Sequence, residues 1–110
     1  MNAGSSPDIG KSSLSGFVIA ITEPPVVEID TEATAAYIRL RGTPVVRTEP
    51  FGSPTGFVMI DFDAEGNVVG IEVVGQQEFS IRTLTQGLPI EATESVLDRT
   101  RYIAADLAAA

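Results

Sequence analysis

The chain is 110 residues long with 44% hydrophobic and 20% charged residues, a composition that supports one folded core and excludes both wholesale disorder and two independent cores. Its 15 acidic residues outnumber the 7 basic ones, and the net charge of -8 disfavours nucleic-acid binding, since a phosphate backbone is repelled unless the arginines segregate onto one face. With no Cys and no His, the chain lacks a disulfide framework, a thiolate metal site, the commonest general base and the usual serine triad.

Residues 1–15 (MNAGSSPDIGKSSLS) are small and polar and bury too little apolar area to offset their conformational entropy, so a flexible tail is expected there, with a single domain over 16–110. The run FVIAI at 17–21 is too short for a signal-peptide core or for a membrane span of ~20 residues. It reads as a strand in a soluble, cytoplasmic protein that does not engage membrane. Pro24 and Pro25 impose extended geometry before the next strand, VVEI from Val26. Asp30 is placed to accept backbone N–H groups one to three residues on, which ends that strand in a turn. In AAYIRL, Tyr37 and Arg39 alternate with Ala36, Ile38 and Leu40, the pattern of a strand with one buried face. Gly42, Thr43 and Pro44 supply a turn, VVRT a short strand, and EPFGSPTG an irregular loop in which Pro50 and Pro54 rule out a central strand.

The segments GFVMIDF and VVGIEVV flank DAEGN and predict a hairpin, with Gly66 or Asn67 where a positive φ is needed. Val58, Ile60 and Phe62 share one face of it with Val69, Ile71 and Val73, while Met59 and Val74 indicate partial cover of the other. Residues 77–86 fit a short strand or a helix. From Glu91 to Ala109 there is no Gly or Pro, and Val96, Ile103 and Leu107 fall at helical spacing behind Thr93 or Pro89, with Glu91 and Glu94 at the positive end of the dipole. The fold expected is α+β, a small antiparallel β-sheet of about five short strands in a hairpin meander, covered by a C-terminal amphipathic helix over 91–109.

The order IDTEATAAYIRL, a proline-glycine loop, then FVMIDFDAEGNVVGIEVV resembles the small prokaryotic family called domain of unknown function 2283. Its members read as an acidic turn, an A-x-Y-I-R-L-like strand and a D-x-D-x-x-G-x-x-x-G-I-E-x-x hairpin, and the likeness spans roughly residues 26–80. The longer loop at 49–56, the added N-terminal segment and the C-terminal tail depart from that pattern. The resemblance implies a small β-rich module, sometimes encoded near toxin-like genes, and carries over no activity and no catalytic residue.

Three constellations carry chemistry worth weighing. Asp61, Asp63, Glu65, Gly66 and Glu72 have the spacing of a calcium loop, but the flanking FVMI and IEVV are β-type rather than helical, so a solvated hairpin turn is expected and no metal. Asp30, Glu32, Asp61 and Asp63 act as acid and base only if they converge; their ordinary roles are turn formers and turn-flanking solubilisers. Neither Gly52 nor Gly66 has the context of a phosphate loop, and no cofactor is expected. Tyr37 and Arg39 share a face that suits ligand stacking, or a packed ring beside an arginine paired with Glu28 or Glu72. The candidate ligand-binding residues are therefore Tyr37, Arg39, Asp61, Asp63 and Glu72. Two functions remain open: a noncatalytic binding or regulatory module, antitoxin-like, whose acidic surface meets a basic protein partner, and a small-molecule enzyme or ligand carrier with a pocket between sheet and helix. The open edge or second face of so small a sheet also leads to an expected homodimer.

Overall fold

The computed structural model describes residues 16–52 and 57–105. The expected tail, the tip of the 49–56 loop at 53–56 and the last part of the expected helix lie outside them. Among the described residues, six strands form one mixed sheet: β2 (Val26–Asp30), β3 (Ala35–Arg39), β4 (Arg47–Phe51), β5 (Phe57–Phe62), β6 (Val68–Val74) and β8 (Arg101–Ala104). Their order is β4-β5-β6-β3-β2-β8, antiparallel throughout except for the parallel β2/β8 pair.

Turn chemistry sets the two hairpins at the centre. Asp30 Oδ1 accepts the Ala33 N–H at 3.1 Å, closing the β2–β3 turn as its side chain is suited to do. Between β5 and β6 the chain turns through Gly66 at φ +84°, a conformation open to glycine at no steric cost. A register shift at Asp61/Phe62 accommodates this turn. Pro50 lies inside β4 rather than in an irregular loop; β4 is the outermost strand, paired on one side only, where a missing N–H is tolerated.

Alternation then divides the sheet into two faces. Val27, Ala36, Ile38, Val58, Ile60, Phe62, Ile71 and Val73 point to one side and are buried. That face is covered by a short two-stranded parallel ribbon, β1 (Ile19–Ala20) with β7 (Ile90–Glu91), and by the helical turns α1 (Ile81–Leu84) and α2 (Glu94–Asp98). Ile19, Ile21, Ile81 and Leu84 complete the core from the cover, with Val96 and Leu97 packed against its rim.

The expected C-terminal helix over 91–109 is corrected by β8. Thr93 does start a helix, its hydroxyl accepting the Val96 N–H, but α2 ends at Asp98. The Thr100 hydroxyl donates to the Leu97 carbonyl at 2.7 Å, satisfying one of the carbonyls a helix end leaves orphaned. Arg101 N–H then donates to the Pro25 carbonyl at 3.0 Å and the chain continues along β2. Without β8, β2 would present a row of unpaired backbone groups at the sheet edge, so pairing there outweighs local helix propensity. The expected antiparallel meander of about five strands is likewise replaced, among the described residues, by eight short strands with two parallel pairings, β1/β7 and β2/β8.

Tyr102 fixes β8 to the cover: its hydroxyl accepts the Ile81 N–H at 2.9 Å, one of the donors that the start of α1 leaves without an intrahelical partner. Tyr102→Phe orphans that donor, and the expected loss is about 1 kcal/mol in urea denaturation. A midpoint equal to that of the parent chain would show that this contact does not anchor β8.

Candidate functional site

On the opposite face of the sheet, the strand register lines up a polar belt. Glu28 on β2 lies opposite Tyr37 on β3, Arg39 on β3 opposite Gly70 on β6, Gly70 opposite Asp61 on β5, and Asp61 opposite Thr48 on β4. Gly70 makes the belt continuous. A Cβ built there would fall inside the van der Waals envelope of Tyr37 Cζ and Oη, so the bare backbone is what lets the phenol lie across β6. The Tyr37 hydroxyl thereby reaches over an entire strand and donates to Asp61 Oδ2 at 2.8 Å. From the other side the Thr48 hydroxyl donates to Asp61 Oδ1 at 2.5 Å. Arg39 donates twice to Glu28, at 2.6 and 3.2 Å, and its guanidinium stands 5.0 Å from the centre of the Tyr37 ring.

The electrostatics follow from these contacts. Burial of the Tyr37 ring, then its hydrogen bond to Asp61 and the charge of that carboxylate, push its ionisation well above the ordinary range. At neutral pH the group is a held hydroxyl donor, with no access to a phenolate that would act as base or nucleophile. The bond to Glu28 raises Arg39 further above its already high value. Arg39 is therefore committed to Glu28, which leaves no free cation in the belt for an incoming anion. Asp61 has two neutral donors and no ion pair among those the described residues form, and Glu72, exposed on the same face, has none either.

Four of the five sequence candidates, Tyr37, Arg39, Asp61 and Glu72, share this face. Asp63 does not. It turns into the β5–β6 hairpin, where Oδ1 accepts the N–H groups of Glu65 at 3.0 Å and Asn67 at 2.9 Å and Oδ2 accepts the Thr43 hydroxyl at 3.0 Å. Only 6% of it is exposed. Burial alone would raise its pKa, but the hydrogen bonds from Asn67, Thr43 and Glu65 outweigh that and hold the carboxyl below the usual range. The calcium-like spacing is thus divided between a turn and a sheet face. Among the described residues no group of three or more acidic side chains stands close enough to hold a metal ion.

The pocket expected between sheet and helix is also displaced. Both helical turns pack on the core face, whereas Tyr37 and Arg39 lie on the open one. A cleft of about 360 Å³ runs beside residues 17–23, and a wider one of about 820 Å³ lies between the β2–β3 turn and β8; none of the five ligand-binding candidates lines either, while Asp30 and Glu32 line the wider one. Thr48 and Gly70 are the belt members that residue chemistry alone does not single out. The trace of Gly70 in the sequence is a glycine inside an otherwise unbroken β-type run, VVGIEVV.

Residues 27–75 match the family model described as "Protein of unknown function (DUF2283)". No curated protein and no solved structure matches the chain. The matched span runs from the second residue of β2 to the end of β6, so it holds the whole polar belt and the buried rows behind it. The β1–β7 ribbon, both helical turns and β8 lie beyond it.

Gly70→Ala forces the Tyr37 ring from its place, and the expected destabilisation is about 1–3 kcal/mol. In a Tyr37→Ala background the same substitution should cost far less, and a double-mutant cycle in urea denaturation reads the difference. For Asp63 the folded pKa is depressed, so its contribution to stability is present above the unfolded value of ~4 and is lost as pH falls through the folded one. Asp63→Asn is expected to flatten the acid limb of the stability curve, measured as denaturation midpoints from pH 6 down to pH 2; an unaltered limb would remove this carboxylate from the account.

Proposed function

We propose that the five-strand unit matched by the family model is a noncatalytic protein-binding module, and that its open sheet face docks a partner with a basic surface. The observation that carries this reading is the distribution of charge on the face. Arg39 is paired with Glu28, while Asp61 and Glu72, on the same face, form no ion pair among the described residues. A partner lysine or arginine brought to these carboxylates finds fixed acceptors: Asp61 is already oriented by Tyr37 and Thr48, so little side-chain entropy is lost on pairing. Beside the carboxylates, Phe57 is 63% exposed, and half-buried Met59 and Val74 adjoin it through the β5–β6 register, an apolar patch of the kind that anchors interfaces. The antitoxin-like role implied by the family resemblance is one instance of this class. Catalysis has weaker support, since the hydroxyl of Tyr37 is held protonated and the acid–base set does not converge: Asp30 and Glu32 line the wider cleft, whereas Asp61 lies on the open face and Asp63 in the β5–β6 turn.

A second copy of the chain is the competing occupant, favoured by Phe57, Met59 and Val74 and opposed by the net charge of -8 on each copy. One set of measurements separates the two. The full chain and an Asp61→Asn/Glu72→Gln variant are used to capture proteins from the native host, and both are weighed by light scattering at micromolar concentration. A basic partner is expected to be retained by the parent chain, to elute as salt is raised from about 0.05 to 0.5 M, and to bind the variant at least about tenfold more weakly, the loss of about 1.4 kcal/mol. Equal retention of the same partner by both chains sinks the proposal. A dimer mass lost on Met59→Lys assigns the face to a second copy instead.

A further inference from the structure

The β1–β7 ribbon lies outside the family-matched span, and among the described residues no strand pairs with the outer side of β1. Its parallel ladder employs Ile19 N–H, donated to the Pro89 carbonyl at 2.8 Å, and Ile21 N–H, donated to the Glu91 carbonyl at 2.9 Å. In such a ladder the intervening residues present their N–H and C=O groups to the other side. Val18, Ala20 and Thr22 therefore direct their backbone polar groups away from β7, and among the described residues the ribbon has two strands only. The side chains alternate with this: Ile19 and Ile21 are buried in the core, while Val18 is 56% exposed. A row of unpaired backbone groups is a template for another strand, and proteins commonly blunt such edges with proline, lysine or a covering segment. The run Val18–Thr22 contains neither proline nor lysine.

The free side opens onto a cleft rather than bulk solvent. The cleft of about 360 Å³ has residues 17–23 along one wall, with Leu40, Arg41 and the end of the β5–β6 turn at Asn67 and Val68 opposite. No residue of β7 lines it, which places it on the unpaired side of β1. Arg41 is the basic residue of the lining, which also holds Glu23, and the Arg41 guanidinium takes part in none of the side-chain hydrogen bonds or ion pairs of the described residues. Its backbone is secured instead, its N–H donating to the Val69 carbonyl at 3.1 Å, so the guanidinium is carried on a fixed stem beside the groove.

We propose that this edge binds an extended peptide segment of a partner protein by strand addition, the peptide pairing its main chain with Val18, Ala20 and Thr22 and offering a carboxylate to Arg41. Main-chain hydrogen bonds supply the affinity and Arg41 selects acidic segments, the division of labour expected of strand addition. The site is separate from the open sheet face, so it stands or falls independently of the partner proposed for that face.

The test uses the full ¹⁵N-labelled chain and a synthetic octapeptide of alternating threonine and valine with one central glutamate. In the free protein the amides of Val18, Ala20 and Thr22 are expected to exchange with solvent much faster than those of Ile19 and Ile21. With the peptide at ten times its dissociation constant they should slow about tenfold. A copy of the peptide methylated at alternate backbone nitrogens should produce no slowing, a control that leaves the protein untouched. Arg41→Glu should weaken the glutamate peptide by at least about tenfold and favour a copy carrying lysine. Amides of Val18, Ala20 and Thr22 already as protected as their neighbours in the free chain would overturn the proposal. So would equal slowing by the methylated copy, or exchange unchanged up to millimolar peptide.

Discussion

Ile71 lies between Ile38 and Ile60 in a single row across three strands, all three at 0% exposure, and this row is the constraint from which the remainder of the structure follows. Side chains in a strand alternate with a period of two, so a slip of one residue in either pairing would carry every buried group of that strand to the solvent side. Burying the row locks β3, β6 and β5 into one register. Val27 extends the core along β2, and Phe62 extends it towards β4, where the Arg47 guanidinium covers its ring at 4.2 Å. The cover is improvised from short pieces because each needs to bring only one or two apolar side chains to a sheet that is already registered.

The same register that buries one face composes the other. Fixing Ile38 opposite Ile71 places Tyr37 opposite Glu72 and Arg39 opposite Gly70, and fixing Ile60 opposite Ile71 places Asp61 beside the same glycine. Tyr37 and Asp61 are two strands apart and meet only because the strand between them presents no side chain at that point. The belt thus depends on the core for its alignment and on one glycine for its continuity. With its groups largely satisfied among themselves, it leaves carboxylates, rather than cations, as the outward-facing chemistry. This is the ground on which the face is proposed to meet a basic protein surface rather than a small anionic ligand.

Among the described residues the strand edges are managed unequally, and the peptide site proposed for β1 rests on that inequality. Pro50 sits in the outer strand β4 and blunts it, and β8 covers the edge of β2. Among the described residues, β1 has neither protection on its outer side. Family-matched residues thus build most of the sheet and its open face, whereas residues outside the match add β8 as the new outermost strand beside β2 and supply the β1–β7 ribbon.

Local pattern was enough to define the β5–β6 hairpin, its inward and outward rows, the β2–β3 turn at Asp30 and the shared face of Tyr37 and Arg39, because each is set by alternation or by turn chemistry within a few residues. It also carried the family resemblance, borne by residues 27–75. The sequence alone left Asp63 grouped with Asp61, since a bulge and a turn that redirect one carboxylate do not alter spacing. It placed a helix over 91–109, where helix formers and the spacing of Val96 and Ile103 are locally consistent, yet Arg101–Ala104 became a strand. That outcome was decided by the unpaired backbone of β2, a partner far away in the chain whose demand for hydrogen bonds has no trace in the propensities of the segment that meets it. The reach of Tyr37 to Asp61 belongs to the same category. Two residues 24 apart met across a third strand only after the core had aligned all three, so tertiary register, rather than residue identity, made them a site.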